Sequence, residues 1–379
     1  MSLFIIFFFS VYAGMHIYAF HKAKSAVPFG TKTGICLAIF MLVMIMAPLI
    51  IRYLEKAGLE TQARISAFTG YTWLGVLFLF CSCAVAIDVY RLLVYCAGFV
   101  LHKDISMITP SAKLSFFVPV LLSAAIATYG YFEAGNIKTE KIVIRSSKIS
   151  KEAGSIRIVQ ISDVHLGLIV RGKKLKKILQ EVKALKPDIL VSTGDLVDGQ
   201  TCNLKDLVTL FQEINPRYGK FAITGNHEVY AGLKDAKCFI EDAGFILLRG
   251  ESMNIGGLIN IAGVDDPAGR NFHISKTISE KELLSTLKKN IFTLLLKHRP
   301  IVDKESLGLF DLQLSGHVHK GQIFPFSIIT WLYYPVDSGV ANLLDSSYLY
   351  VNRGSGTWGP PIRFLSSPEV TLIELIHKD

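Results

Sequence analysis

The first third of the chain carries four apolar stretches, residues 3–20, 33–51, 69–87 and 114–131. Each is close to the roughly 20 mostly apolar residues that a helix needs to cross a bilayer, so they predict four transmembrane spans. A cleaved signal peptide is the competing account of residues 3–20, but no basic residue precedes that run and no small-residue cleavage site follows it. Residues 89–101 are also apolar. Their length of about 13 residues, with Asp88 and Arg91 at the leading end, suits an interfacial or re-entrant helix better than a span. A fifth crossing is the alternative.

From 134 to 154 the pattern turns polar, with Lys138, Glu140, Lys141, Arg145, Lys148 and Lys151 around a short strand-like run at 142–144. The composition predicts a stem or linker, separating a transmembrane region (1–133) from a second domain (155–379). In that domain residues 156–161 alternate like a strand, 173–184 have helical periodicity and 189–193 form a short buried-type strand. A helix over 204–214 and a strand over 221–224 follow. This βαβαβ order predicts a parallel sheet and an α/β fold class. Further strands are expected at 258–262, 292–296, 312–315, 348–352 and 370–374.

Polar clusters sit just past the ends of these strands, where α/β folds place their chemistry. Asp163 and His165 follow the first strand; one residue apart in extended chain, they would leave the same face. Gly194-Asp195-Leu196-Val197-Asp198 follows the second and Gly225-Asn226-His227-Glu228 the third. His298 follows the strand at 292–296, and Gly316-His317-Val318-His319 the strand at 312–315. Singly, each is an ordinary turn or a structural histidine. Together they supply imidazole, carboxylate and amide donors with no thiolate, a set that suits Mn, Fe or Zn and disfavours a structural zinc site. Seven candidate ligands are too many for one tetrahedral ion and predict two divalent ions sharing a carboxylate, the arrangement that activates water and clamps a phosphoryl group.

Composition agrees with this division. The apolar fraction is 51% and the mean hydropathy +0.41, with the excess before residue 133. The net charge of +9 does not call for nucleic acid, because many of the cations flank the predicted spans and no nucleic-acid motif is found. Cys36, Cys81, Cys83 and Cys96 lie in or beside the apolar stretches, and Cys202 and Cys238 lack metal-ligand spacing.

These motifs resemble those of the calcineurin-like metallophosphoesterase superfamily over about residues 156–375, and Gly321-Gln322 and the closing segment from Asn352 to Arg363 resemble its membrane-associated branch. The resemblance implies a sandwich of two mixed sheets flanked by helices. Carried over by motif, it implies that Asp163, His165 and His319 bind one metal, that Asn226, His298 and His317 bind the other, and that Asp195 bridges them. His227 then resembles the histidine that contacts the phosphoryl oxygen or protonates the leaving group, with Asp198 orienting it. Lys320 departs from the pattern, standing where relatives often have glycine.

The basic run from Arg171 to Lys177, behind Leu168, Ile169 and Val170, is either a solvated helix face with core residues before it or a membrane-skimming tip that attracts an anionic lipid. Trp358, Pro360 and Pro361 are expected to shape a loop near the site. The function expected is a membrane-anchored hydrolase in which metal-activated water attacks a phosphate ester or pyrophosphate, on a lipid-linked or nucleotide-linked substrate. Two alternatives are a catalytically inactive scaffold of the same fold and a transporter with an accessory domain; the ligand positions are all filled, and the spans contain few ionisable groups. Cations near the spans are evenly divided between the two faces. Lys22 and Lys24 trail the first stretch and none precedes it, which predicts an extracytoplasmic catalytic domain in a multi-pass protein.

Overall fold

The computed structural model of the protein describes residues 2–199, 204–272 and 278–378; Cys202 lies outside them. The chain divides into two compact units, one running through Phe132 and including Gly359–Ile362, the other comprising Glu133–Trp358 and Arg363 onward.

The first unit is helical: α1 (Ser2–Ala26), α2 (Thr31–Lys56), α3 (Glu60–Leu101) and α4 (Leu114–Glu133). Each predicted apolar stretch falls within one of them, and α2, α3 and α4 are long and apolar enough to cross a membrane. Ala47, Ala63, Ala67 and Gly70 are buried, small side chains that let α2 and α3 approach closely. Residues 89–101 are not a separate interfacial element. They continue α3, whose 42 residues run roughly 60 Å at 1.5 Å per residue. The charges that suggested a break are partnered: Asp88 accepts from Lys22 at 2.5 Å and from the Tyr18 hydroxyl at 2.7 Å, with Arg91 at 3.9 Å.

The second unit contains fourteen strands among the described residues: β1 (Lys138–Ser146), β2 (Ser155–Ile161), β3 (Leu166–Gly167), β4 (Ile189–Ser192), β5 (Val197–Asp198), β6 (Lys220–Ala222), β7 (Ile246–Leu247), β8 (Glu251–Ile255), β9 (Ile259–Gly263), β10 (Phe292–Leu296), β11 (Leu312–Ser315), β12 (Gly339–Asn342), β13 (Tyr348–Val351) and β14 (Glu369–His377). Its helices are α5 (Gly172–Ala184), α6 (Lys205–Gln212), α7 (Asn226–Asp242), α8 (Glu280–Ser285) and α9 (Phe326–Tyr333). One six-stranded sheet has the order β1-β14-β2-β4-β6-β7 and the other β12-β13-β11-β10-β9-β8; both are mixed.

Side-chain alternation along the strands places the core. Ile156 and Ile158 of β2, with Ile373 and Leu375 of β14, face Ile261, Leu294 and Leu312 of the other sheet. Val159, Ile161, Val370 and Leu372 point the opposite way, onto Leu175 and Ile178 of α5, Phe211 of α6 and Phe239 of α7. The expected parallel βαβαβ start is present, with β2, β4 and β6 as parallel neighbours.

Two expectations fail here. Residues 134–154 are not a stem: β1 pairs in parallel with β14 over nine residues, and Arg353 joins Glu140 of β1 to Glu369 of β14 by ion pairs. Nor do residues 168–170 form an apolar tip, since Val170 is buried in the core with Ile169 packed against it. The basic run after them is the solvated face of α5, with Lys173, Lys176 and Lys177 outward and Leu175, Ile178 and Leu179 inward.

Candidate metal centre

Parallel strands end together, so the loops after β2, β4 and β6 emerge at one edge of the first sheet and those after β10 and β11 at one edge of the second. All the charged sequence clusters meet there. Asp163 Oδ1 lies 3.4 Å from His319 Nε2, which is 3.1 Å from His165 Nε2. Asp195 Oδ2 lies 3.8 Å from His165 Nε2 and 3.2 Å from His298 Nε2, and His298 Nε2 is 3.2 Å from His317 Nδ1. Two groups, Asp163/His165/His319 and Asp195/His298/His317, therefore each bring their donor atoms within 4.8 Å of one another, and Asp195 of the second also lies beside His165 of the first.

The local backbone differs from the extended chain expected at Asp163 and His165. Asp163, His165, Asp195, His317 and His319 all adopt left-handed conformations, with φ from 48° to 73°. Non-glycine residues enter that region at a cost, and such residues cluster where the surrounding structure forces a functional geometry. Their convergence comes from these turns rather than from strand alternation. Lys320 is also left-handed at φ 48°, which accounts for glycine being suited to that position. Gly225 is required for a different reason: a Cβ there would fall onto the Asp195 carboxylate.

Asn226 opens α7 and is buried, and its Oδ1 has no hydrogen-bond partner among the described residues; nor does the buried Nδ1 of His165. Buried polar atoms without partners are costly unless a ligand satisfies them. His227 turns its Nδ1 to Asp198 Oδ1 at 2.9 Å, and its backbone N–H donates to Asp195 Oδ1 at 2.8 Å. Its ring also comes close enough to His165 and Asp195 to form a third group of donors.

Electrostatics separate the histidines. Burial, reinforced by His227, brings His165 down to about 3, and burial with His298 nearby brings His317 down to about 3. Both are neutral imidazoles at pH 7. Burial alone would also lower His298 and His227, but the carboxylate of Asp195 outweighs it, raising His298 to about 10 and, with Asp198, His227 to about 9. Asp163 and Asp195 are buried yet held below the usual carboxylate range by the surrounding histidines. Neutral imidazoles beside ionised carboxylates are the donor set that divalent cations take.

Three supporting residues were not assigned roles by sequence reasoning. Glu228 is fully buried and accepts four backbone N–H bonds: Leu196 at 2.7 Å and Val197 at 3.1 Å on Oε1, Gly225 at 2.7 Å and Asp195 at 3.0 Å on Oε2. Thr193 accepts at its carbonyl from His298 Nδ1 at 2.8 Å, leaving Nε2 for the centre. Arg363, fully buried, donates to the carbonyls of Arg353 and Gly356 and sets Nη2 2.9 Å from His319 Nδ1. Glu228 and Arg363 stand within recognisable motifs, but Leu196 and Val197 for the first and His319 for the second come from loops distant in sequence. Trp358 lies by the site as expected, its ring 5.8 Å from His227.

Comparison with known proteins points the same way. The family profile for calcineurin-like phosphoesterases matches residues 156–321. An uncharacterised metallophosphoesterase of Aquifex aeolicus is 39% identical over 264 residues, covering 69% of this chain and 99% of the relative. One from Bacillus subtilis is 34% identical over 257 residues, covering 65% of this chain and 87% of its own. A zebrafish (Danio rerio) protein described as a transmembrane protein with metallophosphoesterase domain is 31% identical over 277 residues, or 68% of this chain and 61% of that one.

Proposed function

The chain belongs to the calcineurin-like phosphoesterase family, and from that premise we propose that it is a membrane-anchored hydrolase of phosphate esters or pyrophosphates working with two divalent ions. The observation that carries this is the convergence of Asp163, His165 and His319 on one side of Asp195 and of His298 and His317 on the other. The residues fit such ions: His165 and His317 are neutral imidazoles beside the ionised carboxylates of Asp163 and Asp195, His298 would give up its proton to a cation, and the buried Asn226 Oδ1 is unpartnered among the described residues. Asp163, His165 and His319 would hold one ion, Asn226, His298 and His317 the other, with Asp195 shared. Bound there, the ions supply Lewis-acid charge to the phosphoryl oxygens and make water a nucleophile near neutral pH.

The chain's own groups do the rest. Thr193 fixes His298 through Nδ1, and Glu228 pins the backbone of Asp195 to Val197, so the shared carboxylate is presented without reorganisation. His227, protonated and oriented by Asp198 at Nδ1, presents Nε2–H to the phosphoryl or leaving-group oxygen. Mn, Fe and Zn all suit the ligand set.

The four helices of the first unit anchor the enzyme. Lys22 and Lys24, in the last turns of α1, favour a cytoplasmic position for that end of the helix, and three further crossings would then bring the catalytic unit to the extracytoplasmic side. On this reading residues 89–101, which continue α3, would add no fifth crossing. Reporter fusions at the C-terminus test the side: an active cytoplasm-only reporter there would reverse it. A lipid-linked substrate fits an enzyme held at a bilayer. Assay of the purified full-length protein with Mn²⁺ against a phosphomonoester, a phosphodiester and a nucleotide-linked lipid tests the activity; failure on all three returns the protein to an inactive scaffold.

A further inference from the structure

Helix α9 breaks the rule that the other helices of its unit obey. In α5 the apolar side chains turn inward and in α7 Tyr230 is the one large apolar or aromatic side chain exposed, whereas in α9 Ile329, Trp331, Leu332 and Tyr333 are 59%, 56%, 70% and 73% exposed and only Thr330 is buried. From Phe326 to Val336 the sequence has no charged residue. A contiguous exposed apolar surface of this kind marks an interaction site.

Its place in the fold ties it to the metal centre. The helix packs against the turn that carries His319, and Gly321, at φ 71°, lets the two backbones meet where a Cβ would strike the main chain of Ser327. At the other end of α9 the Tyr334 ring meets His317 edge-on at 5.8 Å. Polarity therefore changes abruptly within one loop, from cation-binding ligands and Lys320 to uncharged aliphatic and aromatic surface. That contrast complements an anion attached to hydrocarbon. Trp and Tyr are the side chains that settle at a membrane interface, and this chain carries helices able to span one.

We propose that α9 docks the phosphoesterase unit into the headgroup and acyl boundary of a lipid leaflet and so offers a lipid-borne phosphate to the metal centre. The docking stands by itself; the offering rests on the phosphoesterase reading above.

Two readouts test it on the full-length protein reconstituted in phosphatidylcholine and phosphatidylglycerol vesicles. The first is the fluorescence of Trp331, taken as the difference between the wild type and Trp331→Phe. Quenching by lipids brominated on the acyl chain, with little quenching by aqueous iodide, is expected. Quenching by iodide alone, or shielding from both as a second copy of the chain would give, overturns the docking. The second compares 4-nitrophenyl dodecyl phosphate with 4-nitrophenyl ethyl phosphate. The wild type should favour the longer ester by at least about tenfold in kcat/KM, from hydrocarbon burial. Ile329→Ser/Leu332→Ser should reduce that preference to about twofold or less, leaving the ethyl ester unchanged. An undiminished chain-length preference in the double variant overturns the offering. Cleavage of neither ester, together with failure on a phosphomonoester and a nucleotide-linked lipid, removes the phosphoesterase reading and the offering with it; cleavage of neither ester alone overturns the offering, and the bromolipid result still decides the docking.

Discussion

His227 Nδ1 lies 2.9 Å from Asp198 Oδ1, while the backbone N–H of the same histidine donates to Asp195 at 2.8 Å. One residue is thus fixed both to its own orienting carboxylate and to the carboxylate placed between the two donor groups. With Nδ1 committed, Nε2 is the atom left for chemistry.

His227→Gln should retain bound metal and lose roughly 10²-fold or more in kcat, the range for general acid catalysis or charge stabilisation. The wild-type rate should fall as the pH rises through the His227 pKa, raised to about 9, because the protonated form is the acid. Bound cations beside Asp195 will move that limb to lower pH. The variant should lack it. Loss of metal from the variant would instead make His227 a ligand, as its nearness to His165 and Asp195 allows.

Glu228 supports the site without facing substrate. Glu228→Ala leaves four buried N–H groups unsatisfied and should cost about 3 kcal/mol or more. Glu228→Gln should cost less, since its amide oxygen can still accept from Leu196 and Val197 while its NH₂ opposes Asp195 and Gly225. Thermal melts in detergent should rank the wild type above Gln and Gln above Ala; equal melting of all three would show that the cluster is not structural.

The nine-residue pairing of β1 with β14 sets where the phosphoesterase unit begins. A fragment starting at Glu133 should fold, whereas one starting at Ser155 exposes β14 along its length and should aggregate or melt at lower temperature. Size-exclusion chromatography and circular dichroism of the two fragments decide this, and equal stability would make β1 dispensable.

Much of this was legible in the sequence. Alternation at 156–161 and the polar clusters after each strand located the parallel core and the residues of the centre, because both depend on short-range patterning. What stayed hidden depends on distant partners. The charged positions of β1 read as a linker until β14, more than 200 residues away, is seen beside it. Asp88 looked like the end of a span because Lys22, which accompanies it, lies on another helix. The left-handed turns at Asp163 and His165 carry no glycine to announce them. No element was expected at 326–333, which form α9 with most of its apolar side chains outward.

The central claim is that Asp195 lies between two cation sites. Metal analysis of the purified full-length protein beside Asp195→Asn, with hydrolysis of bis(4-nitrophenyl) phosphate measured on both, tests it most directly. The account predicts two divalent ions per wild-type chain with chelator-sensitive turnover, and loss of both ions and turnover when a neutral amide replaces the shared carboxylate. A wild type that hydrolyses the diester with fewer than two ions, or an Asp195→Asn variant that keeps its metal and its rate, would contradict it.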